Sequence, residues 1–151
     1  MTKRIDYSKA SPDGYKAFGA VYSTLLKSDL PKALIDLVYL RVSQINGCAF
    51  CIDMHSRDLL KSGLEIEKLV LVPVWHDTGN VFTNRERVAL AWAESVTRVS
   101  ETSIPEADYA AAAAEFGDKD LADLTYAIGL MNAFNRFGVA FRSTPAAAAK
   151  A

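Results

Sequence analysis

Residues Val42–His55 read Val-Ser-Gln-Ile-Asn-Gly-Cys-Ala-Phe-Cys-Ile-Asp-Met-His. The stretch holds both cysteines of the chain, Cys48 and Cys51, and one of its two histidines, His55. Asn46-Gly47 suits the left-handed turn at a helix end, so one helix is predicted to stop there and another to run from about Ala49 to Lys61, where Gly63 stops it. At about 100° per residue, Cys51 lies about 60° and His55 about 20° around the helix from Cys48. Two thiols and an imidazole on one helical face can make a redox site.

Working outward, Ser28-Asp29 caps the preceding helix, with Pro31 in its first turn and an apolar stripe of Leu34, Leu37, Val38, Val42 and Ile45. Before it, Ser11-Pro12 opens a helix with Tyr15, Phe18, Tyr22, Leu25 and Leu26 on one face. After Gly63 comes a short helix, Glu65 to Val72, then a loop over 73–82 containing Trp75, His76 and Asp77. Thr83-x-x-Glu86 is a capping box for a helix to about Val99, and Ser103-x-x-Glu106 reads as a second one. Gly117 ends that sixth helix and Asp118 caps a seventh, to about Phe141, apolar nearly all round and so buried in the core or a subunit interface. Its polar positions Asn132, Asn135 and Arg136 read as hydrogen-bonding groups at a subunit contact. No segment alternates with period two. The expectation is an all-α, single-domain bundle of about seven helices over 11–144, preceded by an arm (1–10) and followed by a flexible tail (145–151).

Composition narrows the function classes. The formal net charge of −1 leaves no basic footprint for nucleic acid. The strongest apolar run, Leu69 to Trp75, is broken by Pro73 and falls short of the ~20 residues a membrane helix needs. Basic residues near the N-terminus have no apolar segment behind them, so no secretory signal is read. Two cysteines do not make a disulfide framework, and a lone Cys-x-x-Cys in a cytoplasmic protein, the location expected here, points to redox or metal chemistry.

Three features can lower a thiol pKa here. The helix N-terminus favours a thiolate at Cys48. His55, four residues on, is placed to take the Cys51 proton. The second thiol can donate a hydrogen bond to the first. The dipole favours Cys48 as first nucleophile and the histidine favours Cys51; for a peroxidase the histidine weighs more. Two other readings stand beside this one: a pair of inert buried thiols, and a zinc site of Cys48, Cys51, His55 and His76, for which only one ligand knuckle is visible. His76 reads as an ordinary loop residue, and no metal or organic cofactor is expected.

Leu40 to His55, with its Arg-Val-Ser-Gln-x-Asn-Gly lead into Cys-x-x-Cys-x-x-x-His, resembles the core motif of the alkyl hydroperoxidase D-like branch of the carboxymuconolactone decarboxylase family. The similarity extends through Leu71–Trp75, Arg85–Arg87, Ala89–Glu94 and Asn132–Arg142. The resemblance implies an all-helical protomer that assembles as a homotrimer or homohexamer, with thiol peroxidase activity. It implies that Cys51 attacks the hydroperoxide, that Cys48 resolves the sulfenic acid into a disulfide, and that His55 belongs to a proton relay. The relay glutamate of the family falls at Asp36, one methylene shorter, and Phe50 stands where some members carry a second histidine. The family's true decarboxylases lack the cysteine pair. The implied partners are a hydroperoxide and an external dithiol reductant of lipoyl or other protein-thiol type. The alternative is a disulfide-exchange or redox-sensing oligomer with little peroxidase turnover.

Overall fold

The computed structural model describes residues 4–150; the first three residues of the expected arm and the last of the expected tail lie outside that range. Eight α-helices and no strand are found among the described residues. They are α1 (Tyr7–Ala10), α2 (Pro12–Leu25), α3 (Lys32–Asn46), α4 (Ala49–Lys61), α5 (Ile66–Leu71), α6 (Asn84–Thr97), α7 (Val99–Thr102) and α8 (Glu106–Ala140). Short 3-10 turns cover Val72–Asp77 and Ala146–Lys150. The fold class is the all-α bundle expected from the sequence.

Helix α3 is the centre of the bundle. Every residue from Leu34 to Ser43 is buried, well beyond the one stripe that periodicity marks. The cause is that α3 serves two hydrophobic clusters. Ile35, Val38, Tyr39 and Val42 pack with Trp92, Leu124, Ile128 and the two cysteines. Leu37 and Leu40 pack with Leu59, Val72, Trp75 and Leu90. Burial on all sides makes α3 a rigid platform for whatever its C-terminal end carries.

That end is built as the sequence implies. Gly47 takes φ 67°, a left-handed value that costs glycine little, and the chain turns directly into α4. The Cys48 amide donates to the Ser43 carbonyl (3.0 Å), tying the turn down. Asn46 donates to both Asn132 and Asn135 on α8 (3.0 Å each), and Asn135 donates to Ser43 Oγ (2.9 Å). Asn132 also donates to Thr97 (3.1 Å). Asn132 and Asn135 thus find hydrogen-bond partners within the chain, and the buried amide of Asn135 on α8 is satisfied by the polar end of α3.

The termini of the other helices follow the local chemistry, with three differences. The Thr83 box forms in both directions, Glu86 N to Thr83 Oγ1 and Thr83 N to Glu86 Oε2. The Ser103 box does not form. Ser103 and Ile104 both take φ 50°, and Pro105 occupies the N-cap position of α8. Asp29 does not cap α3; Pro31 holds the N-cap position and Asp29 pairs with Lys119 at 3.1 Å. The sixth and seventh expected helices run on as α8, broken at Gly117 (φ 67°, ψ 174°). Ahead of the bundle, Tyr7 on α1 stacks on Phe137 of α8 and on Phe141 at its C-cap, with centroids 5.1 and 5.6 Å apart. The segment after α8 turns back on α4, where Ala147 N donates to Asp53 Oδ2 (3.3 Å).

Candidate active site

Cys48 occupies the N-cap position of α4, and its sulfur accepts a hydrogen bond from the Cys51 amide (3.4 Å). That placement follows from the turn at Gly47, which delivers Cys48 in extended conformation to the first unpaired N–H groups of the helix. Cys48 and Cys51 form a disulfide with Cα atoms 5.4 Å apart, within the ordinary span for such a bond. Both are buried, at 1% and 3% exposure. Helix α8 closes over the pair at Gly138. A Cβ at that position would stand 2.8 Å from Cys48 Sγ and 3.6 Å from Cys51 Sγ, so only glycine lets the α8 backbone come this near.

The two sulfurs differ in what they face. Cys51 lines a cavity of about 380 Å³, and Cys48 does not. The cavity wall is largely aromatic and apolar, with Tyr7, Tyr22, Tyr39, Phe50 and Phe134 among its lining residues, and it also includes Asp58. Phe50 therefore fills wall space beside Cys51.

His55 lies one turn beyond Cys51 and lines the same cavity. It is 4% exposed, and neither ring nitrogen has a hydrogen-bond partner in the protein. Burial pushes its pKa down to about 4; Asp58 opposes the shift and Lys32 adds to it. Near neutral pH the imidazole is thus uncharged. The Tyr39 ring lies 5.2 Å from it, centroid to centroid.

Asp36 is buried on α3, and its carboxylate pairs with Lys32 Nζ one helical turn earlier. Burial raises the Asp36 pKa, Lys32 opposes the rise, and Asp58 contributes to it. No hydrogen bond links Asp36 to His55, whose nitrogens are both unpaired. The structure thus brings Cys48, Cys51 and His55 together and places Asp36 on the neighbouring helix with a different partner. His76 is elsewhere. It stacks on Trp75 (3.7 Å between centroids) and stands 3.9 Å from Glu94, which also accepts from Arg41 and Trp75 at 2.8 Å each.

Sequence reasoning missed three residues. Lys32 and Asp36 stand four apart on a helix, a spacing that marks an ion pair. Tyr39 reads as one more core aromatic. Gly138 carries no local signal, because its role depends on where α8 crosses α4.

A profile of the carboxymuconolactone decarboxylase family matches residues 12–95. The uncharacterized protein YdfG of Bacillus subtilis is 29% identical over 140 residues, covering 93% of this chain and 95% of that one. Among solved structures, a protein of unknown function from Agrobacterium tumefaciens, described as a candidate AhpD antioxidant defence protein, superposes with a TM-score of 0.91. It is 39% identical and covers 95% of this chain and 98% of its own. An alkylhydroperoxidase AhpD core from Ralstonia eutropha, an uncharacterized peroxidase-related protein, superposes with a TM-score of 0.79 at 25% identity, over 91% of this chain and 73% of its own. Sequence and fold agree with the motif around Cys48 and Cys51: the chain belongs to the carboxymuconolactone decarboxylase family, as an AhpD-like member.

Proposed function

We propose that the protein is a thiol-dependent peroxidase that reduces hydroperoxides through a Cys48–Cys51 disulfide cycle. One observation carries the reading: Cys51 faces a cavity that also contains a buried, uncharged and unpartnered imidazole one turn away. In the reduced protein His55 takes the Cys51 proton, and the thiolate attacks the terminal oxygen of the hydroperoxide. The O–O bond breaks, an alcohol or water leaves, and Cys51 becomes a sulfenic acid. Cys48 attacks that sulfur, water leaves, and the disulfide forms. An external dithiol, of lipoyl or other protein-thiol type, reopens it by exchange. Asp36 serves as the carboxylate of the relay once it leaves Lys32. The cycle uses no metal or organic cofactor and requires a reducing compartment, so we place the protein in the cytoplasm. No described helix is long and apolar enough to cross a membrane. The name peroxidase-related, carried by the Ralstonia protein, supports the same reading.

The test is to mix reduced protein with an organic hydroperoxide and count free thiols. Wild type is expected to lose both, and Cys51→Ser to react far more slowly. A wild type that keeps its thiols, or a Cys51→Ser variant that reacts as fast, defeats the assignment.

A second reading, disulfide exchange or redox sensing with little turnover, is favoured by the Lys32–Asp36 pair together with the absence of a hydrogen bond from Asp36 to His55. Rapid exchange with a dithiol but no steady-state peroxide consumption would select it.

A further inference from the structure

Tyr39 is fully buried, yet its hydroxyl has no hydrogen-bond partner in the protein. A buried phenol left this way costs free energy unless something outside the chain satisfies it. The residue lines the Cys51 cavity, and its ring lies 5.2 Å from that of His55 at a tilt of 51°; the two His55 nitrogens are likewise unsatisfied. Two orphaned polar groups line one cavity with Cys51, in a wall that also holds Asp58 and three further tyrosines, and together they are complementary to a small ligand with two adjacent oxygens.

We propose that Tyr39 is a catalytic residue, the general acid that protonates the leaving oxygen of the hydroperoxide. The inference rests on the thiol peroxidase reading and deepens it. His55 removes the Cys51 proton, the thiolate takes the terminal OH of ROOH, and the electron pair of the O–O bond goes to RO⁻. The Tyr39 phenol donates its proton to RO⁻, and the imidazolium of His55 returns a proton to the phenolate. The sum is Cys–SH + ROOH giving Cys–SOH + ROH, with both acid–base groups restored. Burial holds the phenol protonated until an alkoxide, a stronger base, forms beside it. Asp36, paired with Lys32, is not needed for this half of the proton traffic.

The role predicts a dependence on leaving group that a packing role would not show. Tyr39→Phe keeps the ring and removes a hydroxyl with no protein partner, so it should fold as well as wild type. Reduced wild type and Tyr39→Phe are oxidised by tert-butyl hydroperoxide, whose alkoxide needs a proton, and by peracetic acid, whose acetate does not. The variant should lose about 100-fold in the rate of Cys51 oxidation with the first, and less than about 3-fold with the second. Thermal unfolding and the rate of disulfide reduction by dithiothreitol should stay close to wild type. Equal losses with both oxidants, or none with either, overturn the role of Tyr39 while leaving the peroxidase intact. A wild type that neither oxidant converts to the disulfide overturns this inference together with the reading beneath it. Should the variant not fold, wild type alone decides: its rates across alkyl hydroperoxides should vary little with alcohol acidity, and a steep dependence overturns the assignment.

Discussion

Lys32 is bound to Asp36 across one turn of α3, and the Asp36 carboxylate makes no hydrogen bond to His55. If Asp36 belongs to the relay, its reach and its competitor both limit the rate. Asp36→Glu adds the methylene that separates this chain from the family pattern and should raise the rate of Cys51 oxidation severalfold. Lys32→Met should act in the same direction by freeing the carboxylate. Stopped-flow measurement on the reduced variants checks both, and two unchanged rates would remove Asp36 from the relay.

The imidazole of His55 makes folding sensitive to acid. It titrates near 4 in the folded protein and near 6.5 in an unfolded chain. Between those values the unfolded chain holds a proton that the folded one does not, so stability falls as pH drops through the window and is fully kept above it. The full effect is on the order of 3 kcal/mol. The raised Asp36 carboxyl works the opposite way, its folded form holding a proton longer as pH rises from the ordinary carboxylate range. Comparing denaturant melts of oxidised wild type and His55→Gln at the two ends of the window isolates the histidine. The difference between the two proteins should change with pH, with wild type losing more on the acid side.

Gly138→Ala should weaken the oxidised form more than the reduced one. The added methyl would meet Cys48 Sγ at 2.8 Å, and overpacking of that kind costs about 1–3 kcal/mol. A reduced Cys48 can rotate its sulfur aside, and a disulfide cannot. Melting temperatures of both forms, with a dithiothreitol equilibrium, should show the variant's disulfide easier to reduce. Equal losses in the two forms would mean that α8 shifts as a whole.

The trimer or hexamer that the family resemblance implies would need an apolar face, and α8 offers exposed aromatic surface at Tyr126. Tyr126 is 67% exposed and borders an open groove lined also by Val21, Trp92 and Tyr109. Light scattering of wild type should report an oligomer, and Tyr126→Asp should shift it toward smaller species. A wild-type monomer at working concentration would remove the assembly from the proposal.

The sequence made some of this architecture legible and concealed the rest for physical reasons. The bounds of α4 follow from Asn46-Gly47 and Gly63, and Cys48, Cys51 and His55 meet because three- and four-residue spacings are fixed by the helix itself. The Thr83 box formed and the Ser103 box did not, although both read alike, since Pro105 took the cap position. What stayed hidden depends on contacts between distant segments. Gly138 matters because of where α8 crosses α4, and Asn135 is satisfied by Ser43, 92 residues away. Tyr39 was masked by its own chemistry, since an aromatic residue on a buried face resembles core until its hydroxyl is followed.

Because α3 belongs to both hydrophobic clusters, loss of either one strips packing from the helix on which the other rests. The amide of Cys48, buried and anchored to the Ser43 carbonyl, should therefore exchange its hydrogen with solvent far more slowly than the exposed turn at Gly47 beside it. Of the two buried sulfurs, only that of Cys51 borders a cavity, so on the proposed function a reactant would meet the pair from the Cys51 side.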